Sequence, residues 1–546
     1  MTRPNFLGLV AGVLFLCASL LPSLLPRHWG YQVIVSGIAS AATYGLGTLA
    51  SHLWRRLPFR EPPRRLKRLA WWILLVGGSA WVIVTLVLGI RWQQELYRMM
   101  GMTVPSRWGY AAALFLALLL AAILVLIGRG IRFASRRVGV TLARWLPGPA
   151  AGLLGGVLVG LLVVGLLDGF VVDRFFDAAD ETFRVSDRIV ADDAVQPTSA
   201  LRSGSPESLV SWQSLGSKGR TFVAGGPSLN DLTEFGGEIA RQPIRVYVGL
   251  ASHPTLQGRI QLVLDELERT GAFEREILCV ATATGTGWVD PQAANALEYI
   301  WAGDTAIASL QYSYLPSWIS FLVDSGRARE AGAALFNAVY ERWASLPEND
   351  RPRLLVFGES LGADGSEAAF SGVADIRNRT DGVLWAGPPN FSELWSSFTE
   401  EREPGSPQRL PLYEDGETVR FASGPEQIES PMESWSRPRV LYLQYASDPV
   451  VWWTPRIILR RPDWLEEPTG GEGLPKVSWF PLVTFLQLTV DLANSIDVPA
   501  GHGHNYAGLF ANGWAAVASP EDWTADDTDR LRTLLIAQER AASAPK

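Results

Sequence analysis

The chain has 546 residues, of which 48% are hydrophobic, and its mean hydropathy of +0.11 is high for a wholly soluble protein. The two cysteines, Cys17 and Cys279, do not indicate a disulfide framework and lack metal-ligand spacing. Up to Leu167 there are 17 Lys and Arg against two acidic residues, whereas the remaining chain carries 31 basic and 53 acidic residues. This asymmetry indicates two parts of the chain in different physical environments.

The first 167 residues contain apolar segments of spanning length, which predict about five transmembrane helices. These segments are residues 6–25, 31–53, 69–90, 108–127 and 150–167. Basic residues concentrate in the loop between the second and third segments and in the loop between the fourth and fifth. Both loops are therefore expected in the cytoplasm, which places the rest of the chain on the extracytoplasmic side of the cell membrane.

Residues 168–240 mix acidic residues with Ser, Gly and Pro, and we interpret them as a junction that is either a linker with a short helix near residues 174–189 or an extra edge of the following domain. From residue 241 to 546, β-rich runs alternate with helical stretches. This pattern predicts a doubly wound α/β domain with a mostly parallel sheet. The expected strands are 244–250, 276–282, 353–357, 382–386 and 439–446, and the expected helices are 258–270, 327–345, 361–372 and 482–495.

Three groups with catalytic chemistry follow one another in this second part. Ser360 lies in Gly-Glu-Ser-Leu-Gly, residues 358–362, which fits the G-x-S-x-G nucleophile elbow after an apolar strand. Asp448 comes directly after the last expected strand, and His502 and His504 lie near the C-terminus. Reactive groups collect at the carboxyl ends of strands in an open α/β sheet. The order Ser, Asp, His is that of α/β-hydrolases.

A serine attacks an ester only when a base takes its proton and a carboxylate orients that base. We therefore predict Ser360 as the nucleophile, Asp448 as the orienting acid and His504 as the base. His502 is the alternative base, because two residues apart in an extended loop the two rings point in different directions. Weaker candidates for the acid, each explained as a helix-surface or capping residue, are Asp491 and Asp497.

Further site residues are expected around the nucleophile. An oxyanion hole needs two backbone N–H donors, and we expect one from Leu361 and one from Ala251 or Ser252, after the first strand. The stretch 387–391 is expected to line the pocket, whereas the glycine-rich stretch 281–288 lacks a complete nucleotide-binding pattern. Candidates for substrate contact are Glu359, His253, Trp452 and Trp453.

An insertion at about residues 450–481 separates Asp448 from the histidines and is rich in tryptophan and proline. Aromatic residues at this density suit a lid or a lipid-facing surface, but they also suit ordinary packing against the core. Both interpretations stay open from the sequence.

The residues from about 240 onward resemble the α/β-hydrolase fold. Membrane spans followed by Gly-Glu-Ser-Leu-Gly and Gly-His-Gly-His resemble an actinobacterial-type family of membrane-anchored α/β-hydrolases. That resemblance implies a serine esterase or lipase-type hydrolase. Members of the family include enzymes that remove the amino acid from aminoacylated lipids such as alanyl-phosphatidylglycerol.

The resemblance also implies partners and competing functions. The expected partners are the lipid bilayer and a membrane lipid substrate, with no metal, organic cofactor or nucleic acid. The alternatives are a cell-envelope lipase or acyltransferase, or a lipid-binding envelope or transport protein without catalysis.

Overall fold

The computed structural model describes residues 4–57, 63–145, 147–166, 183–184, 186–187, 189, 194–237, 240–323, 325–428, 434–467 and 477–543. The chain divides into two compact units. The first unit comprises Met1–Ala178, Pro455–Leu465 and Gly473–Asn494. The second comprises Ala179–Thr454, Glu466–Glu472 and Ser495–Lys546.

Helices and strands are numbered in chain order. The helices are α1 Phe6–Ser19, α2 Trp29–Trp54, α3 Arg64–Trp72, α4 Gly78–Met99, α5 Arg107–Leu142, α6 Gly148–Leu166, α7 Gly216–Ala224, α8 Leu229–Gly236, α9 Leu256–Thr270, α10 Pro291–Ile300, α11 Ser317–Val323, α12 Ser325–Ala344, α13 Leu361–Glu367, α14 Val373–Arg379, α15 Glu393–Glu400, α16 Pro425–Ile428, α17 Pro449–Trp452, α18 Val483–Ala493, α19 Phe510–Ala518 and α20 Ala525–Ser543. The strands are β1 Ile244–Val248, β2 Ile277–Thr282, β3 Thr305–Leu310, β4 Arg353–Glu359, β5 Gly382–Ala386, β6 Val419–Ala422 and β7 Arg439–Leu443.

The described part of the first unit is helical, and three of its helical segments are long and apolar enough to cross a membrane. They are Trp29–Trp54, Arg64–Met99 and Arg107–Leu142. The other two predicted spans are present as shorter apolar helices, Phe6–Ser19 and Ala150–Leu162. α1 ends at Ser19 instead of continuing to residue 25, since Pro22 follows and lacks the N–H that a helix interior needs. Many large apolar side chains on α4 and α5 are exposed, as on a lipid-facing surface.

α18 also belongs to the first unit, although the sequence analysis placed it in the catalytic domain. Asp491 on α18 is buried and forms an ion pair with the buried Arg27, with 3.6 Å between Oδ1 and Nε. The Arg27 guanidinium also donates to Gln32 Oε1 at 2.9 Å. The Gln487 side chain donates to the Leu21 carbonyl oxygen at 2.9 Å. Asp491 is therefore not the helix-surface residue that we expected, but half of a buried ion pair.

In the residues described, the second unit is built on a seven-stranded sheet in which all paired strands are parallel. The strand order is β1-β3-β2-β4-β5-β7-β6. The five expected strands are present, and β3 and β6 are additional. Nearly every strand residue is buried, because helices cover both faces. β4 is the central strand, so the elbow that follows it lies in the middle of the catalytic edge.

One predicted helix differs from the structure, and the predicted junction has more structure than a linker. The helix expected over 361–372 ends at Glu367, and a separate helix, α14, begins at Val373. The later part of the expected junction contains α7 and α8 and packs as part of the second unit. There the Ser203 N–H donates to the Arg245 carbonyl oxygen at 3.1 Å. The short helix expected near 174–189 lies mostly outside the described residues.

Candidate active site

Ser360 lies at the sharp turn between β4 and α13. Its φ of 55° and ψ of −127° are rare for a residue with a side chain and are typical of a strained functional position. A Cβ on Gly358 would lie 2.3 Å from the carbonyl oxygen of Gly362, and a Cβ on Gly362 would lie 2.2 Å from that of Thr282. Both positions therefore require glycine, and the chain turns here as a nucleophile elbow does.

Asp448 and His504 form a buried pair. Oδ2 of Asp448 is 2.7 Å from Nδ1 of His504. Oδ1 accepts a hydrogen bond from the Val450 N–H at 2.8 Å, because Asp448 caps α17. A carboxylate at Nδ1 fixes the tautomer in which Nδ1 carries the proton and Nε2 is the acceptor. Among the described residues, Nε2 of His504 has no hydrogen-bond partner, so this nitrogen is available as a general base.

The turn after β5 lies against both the Ser360 backbone and this pair. The Ser360 N–H donates to the carbonyl oxygen of Ala386 at 2.9 Å. The next residue, Gly387, lies against the pair. A Cβ there would be 2.3 Å from Cε1 of His504 and 2.9 Å from Oδ2 of Asp448. Two consecutive residues thus contact all three members of the predicted Ser, Asp and His set.

Replacing Gly387 with alanine is expected to lower kcat by roughly 100-fold, because the new Cβ displaces the imidazole or the carboxylate and a misplacement of about 1 Å has that cost. Steady-state hydrolysis of a p-nitrophenyl ester measures the loss. Gly405→Ala is the matched control: Gly405 also has a positive φ, 95°, but nothing lies within 4 Å of its Cβ position. Equal losses in the two variants would show that backbone strain, not the clash, is responsible.

The Gly-His-Gly-His loop presents its two histidines differently. His504 contacts Asp448, whereas the Nδ1 of His502 is buried and has no hydrogen-bond partner in the described part of the chain. Burial lowers the pKa of His502, which keeps that ring neutral. Gly503 between them has a φ of 55°, a backbone conformation that favours glycine. The geometry thus pairs His504, and not His502, with the acid.

Two further buried carboxyls lie near the pair. Glu359, the last residue of β4, has a pKa raised well above its usual range by burial and further by the charges of Asp290 and Asp448. Asp290, which the sequence analysis did not single out, caps α10 by accepting the N–H groups of Gln292 and Ala293. Burial raises the pKa of Asp290 to about 6. Glu359, expected as a substrate contact, is therefore a buried carboxyl whose surroundings favour its protonated form.

The two proposed sources of the oxyanion hole lie at different distances from the elbow. Leu361 is the first residue of α13, so its N–H has no acceptor within the helix. Ala251 and Ser252 lie in a 3₁₀ turn after β1, three strand spacings or about 14 Å from β4. β2 is next to β4, and its last residue, Thr282, lies against Gly362. The loop after β2 is therefore nearer to the elbow than the loop after β1.

The other expected substrate contacts are His253, Trp452 and Trp453, and each has different neighbours. Nδ1 of His253 contacts the backbone of its own turn, at the start of α9. Trp452 is fully buried, and its indole N–H donates to the Tyr445 carbonyl oxygen at 2.9 Å. Trp453 packs edge-on against Phe321 with 5.4 Å between ring centroids. Trp452 is thus part of the core, and Trp453 belongs to an aromatic contact with α11.

Sequence reasoning missed Tyr506, whose hydroxyl donates to Oδ2 of Asp448 at 2.7 Å. The available signal was its position two residues after His504, in a loop already assigned to the site. Sequence reasoning also missed the close approach at Gly387, although the stretch 387–391 was expected to line the pocket. Among the described residues, no group of three or more His, Cys, Asp and Glu is placed to hold a metal ion.

Comparison with known families agrees with this architecture. Residues 244–531, more than half of the chain, match the sequence profile of an alpha/beta-hydrolase family. The chain belongs to this alpha/beta-hydrolase family. Residues 20–227 match a second profile, described as the N-terminus of an alpha/beta-hydrolase family. No curated protein matches the sequence of this hydrolase. The predicted fold class, a helical N-terminal region with apolar helices followed by an α/β-hydrolase domain, is confirmed.

Proposed function

We propose that this hydrolase cleaves a carboxylic ester through an acyl-enzyme, with Ser360 as the nucleophile, His504 as the base and Asp448 as the residue that orients the base. The observation that carries the proposal is the buried pair of Asp448 and His504, packed against Gly387 beside the strained serine. The pair leaves Nε2 of the imidazole as an acceptor for the serine proton.

The proposed reaction has two halves. The Ser360 Oγ forms a bond to the ester carbonyl carbon while Nε2 of His504 takes its proton, and the carbonyl oxygen becomes an oxyanion. The tetrahedral intermediate expels the alcohol, which receives that proton from His504. A water molecule, deprotonated by the same nitrogen, then attacks the acyl-enzyme. The second tetrahedral intermediate then collapses. The bond to the Ser360 Oγ breaks, the oxygen takes the proton back from His504, and the acid is released.

For the oxyanion hole we propose the N–H of Leu361 and one N–H of the loop after β2, in place of Ala251 or Ser252. The strand order supports this choice, because β2 is the neighbour of β4. Within that loop, the Gly285 N–H already donates to a tyrosine hydroxyl at 2.8 Å. Ala283, directly after the strand, is therefore the first candidate.

As substrate we propose a membrane lipid, most specifically the aminoacyl ester of an aminoacylated phospholipid or glycerolipid. Helices that are long and apolar enough to cross a membrane support a membrane lipid, because anchoring raises the effective concentration of an enzyme toward substrates in the same bilayer. The aminoacyl ester comes from the family resemblance. The basic loops between the apolar helices support a catalytic unit outside the cytoplasm.

The test incubates lipid extracts containing aminoacyl-phosphatidylglycerol with purified wild-type chain or with Ser360→Ala. We expect the wild type to deplete the aminoacyl lipid and Ser360→Ala to leave it intact, because the proposed acyl-enzyme forms on the Ser360 hydroxyl. Ser397→Ala on the surface of α15 is the control and should match the wild type.

Other outcomes would replace this substrate or this function. If wild type and Ser360→Ala leave the aminoacyl lipid equally intact, the aminoacyl substrate is wrong. Release of fatty acid, or transfer to a sugar or glycerol acceptor, would then identify a lipase or an acyltransferase. A wild-type chain that a fluorophosphonate probe fails to label would indicate a lipid-binding protein without catalysis.

A further inference from the structure

The phenol of Tyr506 is completely buried beside the acid of the proposed triad. Its oxygen lies 2.7 Å from Oδ2 of Asp448 and accepts a hydrogen bond from the Tyr445 N–H at 3.1 Å. The backbone N–H and an ionised carboxylate leave one assignment for the hydroxyl proton, since the N–H can only donate and the carboxylate can only accept. The Tyr506 hydroxyl therefore donates to Asp448.

Oδ2 of Asp448 thus accepts two hydrogen bonds, one from the Tyr506 hydroxyl and one from Nδ1 of His504, each at 2.7 Å. Oδ1 accepts a third, from the Val450 N–H. Three donors in different directions fix the plane of the carboxylate. Two of them compete for the charge on the same oxygen, so the tyrosine reduces the negative charge that faces the imidazole.

The tyrosine ring is itself held on two sides. It stacks on Tyr445 with ring centroids 4.6 Å apart and an interplanar angle of 3°. It also packs perpendicular to the His504 ring, with 5.6 Å between the ring centroids and an interplanar angle of 87°. Burial, together with the adjacent Asp448 charge, raises the pKa of the Tyr506 phenol well above its usual range. The phenol therefore stays protonated, and remains a donor, throughout the range in which an esterase works.

We propose that Tyr506 is a positioning residue that orients the Asp448 carboxylate and sets how strongly this carboxylate favours the protonated form of His504. This inference rests on the proposed hydrolase function. The Tyr506 hydroxyl acts through the acid, to which it donates its hydrogen bond.

The test compares the pH profiles of wild type and Tyr506→Phe with a p-nitrophenyl ester as substrate. Loss of the hydroxyl leaves more negative charge on Oδ2 toward His504, which favours the imidazolium. The base works in its neutral form. We therefore expect the midpoint of the acidic limb, in the plot of kcat/KM against pH, to move to higher pH by about half a pH unit. We also expect kcat to fall about tenfold, as for a lost hydrogen bond to a charged group, with KM nearly unchanged.

Tyr442→Phe is the matched control. Tyr442 is also a fully buried tyrosine, and its hydroxyl donates to the buried carboxyl of Glu367 at 3.1 Å. A purely structural effect of losing such a hydroxyl would lower stability in both variants without moving the acidic limb. The other titratable groups beside the pair, Glu359 on β4 and Asp290 before α10, are unchanged in every variant.

A difluorotyrosine incorporated at position 506 gives the opposite change without removing the hydroxyl. Fluorination makes the phenol a stronger donor, so the acidic limb should move to lower pH. Opposite shifts for Tyr506→Phe and the fluorinated residue would support the proposal. Acidic limbs that coincide with that of the wild type would overturn it. If the wild type itself neither hydrolyses the ester nor reacts with a fluorophosphonate, the hydrolase function fails, which is a different result.

Discussion

His504→Ala is expected to lower kcat by roughly 10⁴- to 10⁶-fold, the cost of removing the general base from a serine triad. His502→Ala should keep most of the activity. The difference follows from the buried contact of 2.7 Å between Asp448 and His504, to which His502 does not contribute. The measurements are the steady-state rate with a p-nitrophenyl ester and the rate at which a fluorophosphonate labels Ser360.

The two variants control for each other, because both remove an imidazole from the same short loop. If His502→Ala suffers the larger loss, the pairing of Asp448 with His504 is not the catalytic one. Equal, large losses would indicate that the loop has collapsed. A circular-dichroism spectrum and the thermal midpoint in detergent separate that case from a chemical effect. The assignment of the base requires an intact fold and a selective loss in His504→Ala.

The sequence was sufficient to predict the nucleophile and the acid as candidates, and it named His504 as the base with His502 as the alternative, but residue spacing gave no geometric reason for that choice. Ser360 and Asp448 each follow an apolar strand, and the carboxyl ends of parallel strands meet at one edge of the sheet. The histidines follow no strand. Their directions depend on the backbone of Gly503 and on the hydrogen bond from the His504 N–H to the Ser495 carbonyl oxygen. These are tertiary features that residue spacing does not specify.

The missing strands explain the revised oxyanion donor. β3 has the sequence Thr-Ala-Ile-Ala-Ser-Leu, whose small and polar residues give little strand signal, and β6 has four residues. The sequence analysis predicted five strands without an order. In the sheet, β3 lies between β1 and β2. The loop after β1, with Ala251 and Ser252, is therefore farther from Ser360 than the loop after β2.

Residues 477–494 show a different limit of sequence reasoning. Between Asp448 and His504, a stretch rich in aromatic residues was open to interpretation as a lid, a lipid-facing surface or core. Helix α18 follows this stretch, which was predicted at about residues 450–481, and α18 belongs to the first unit through partners more than 400 positions away in the chain. The decisive pair is Arg27 with Asp491, and neither the charge pattern nor the helical periodicity of the sequence connects these two residues.

Asp491→Asn is expected to destabilise the first unit by about 3–5 kcal/mol, because it leaves the buried Arg27 guanidinium without its carboxylate. Both side chains are 1% exposed, so water cannot replace the lost partner. The remaining bonds of Arg27, to Gln32 and Ser23, are to neutral groups and do not compensate the charge. A lower thermal midpoint in detergent and faster trypsin cleavage after exposed basic residues measure the effect.

Asp497→Asn is the matched control, because it makes the same chemical change at an exposed position six residues farther along. The double variant Arg27→Met with Asp491→Leu removes both charges and should be more stable than Asp491→Asn, since no buried charge is then left unpaired. An Asp491→Asn midpoint equal to that of Asp497→Asn would mean that the ion pair contributes nothing. If only Asp491→Asn loses stability, this charge pair holds α18 among the N-terminal helices. The N-terminal region then helps to fold a helix that lies within the alpha/beta-hydrolase sequence.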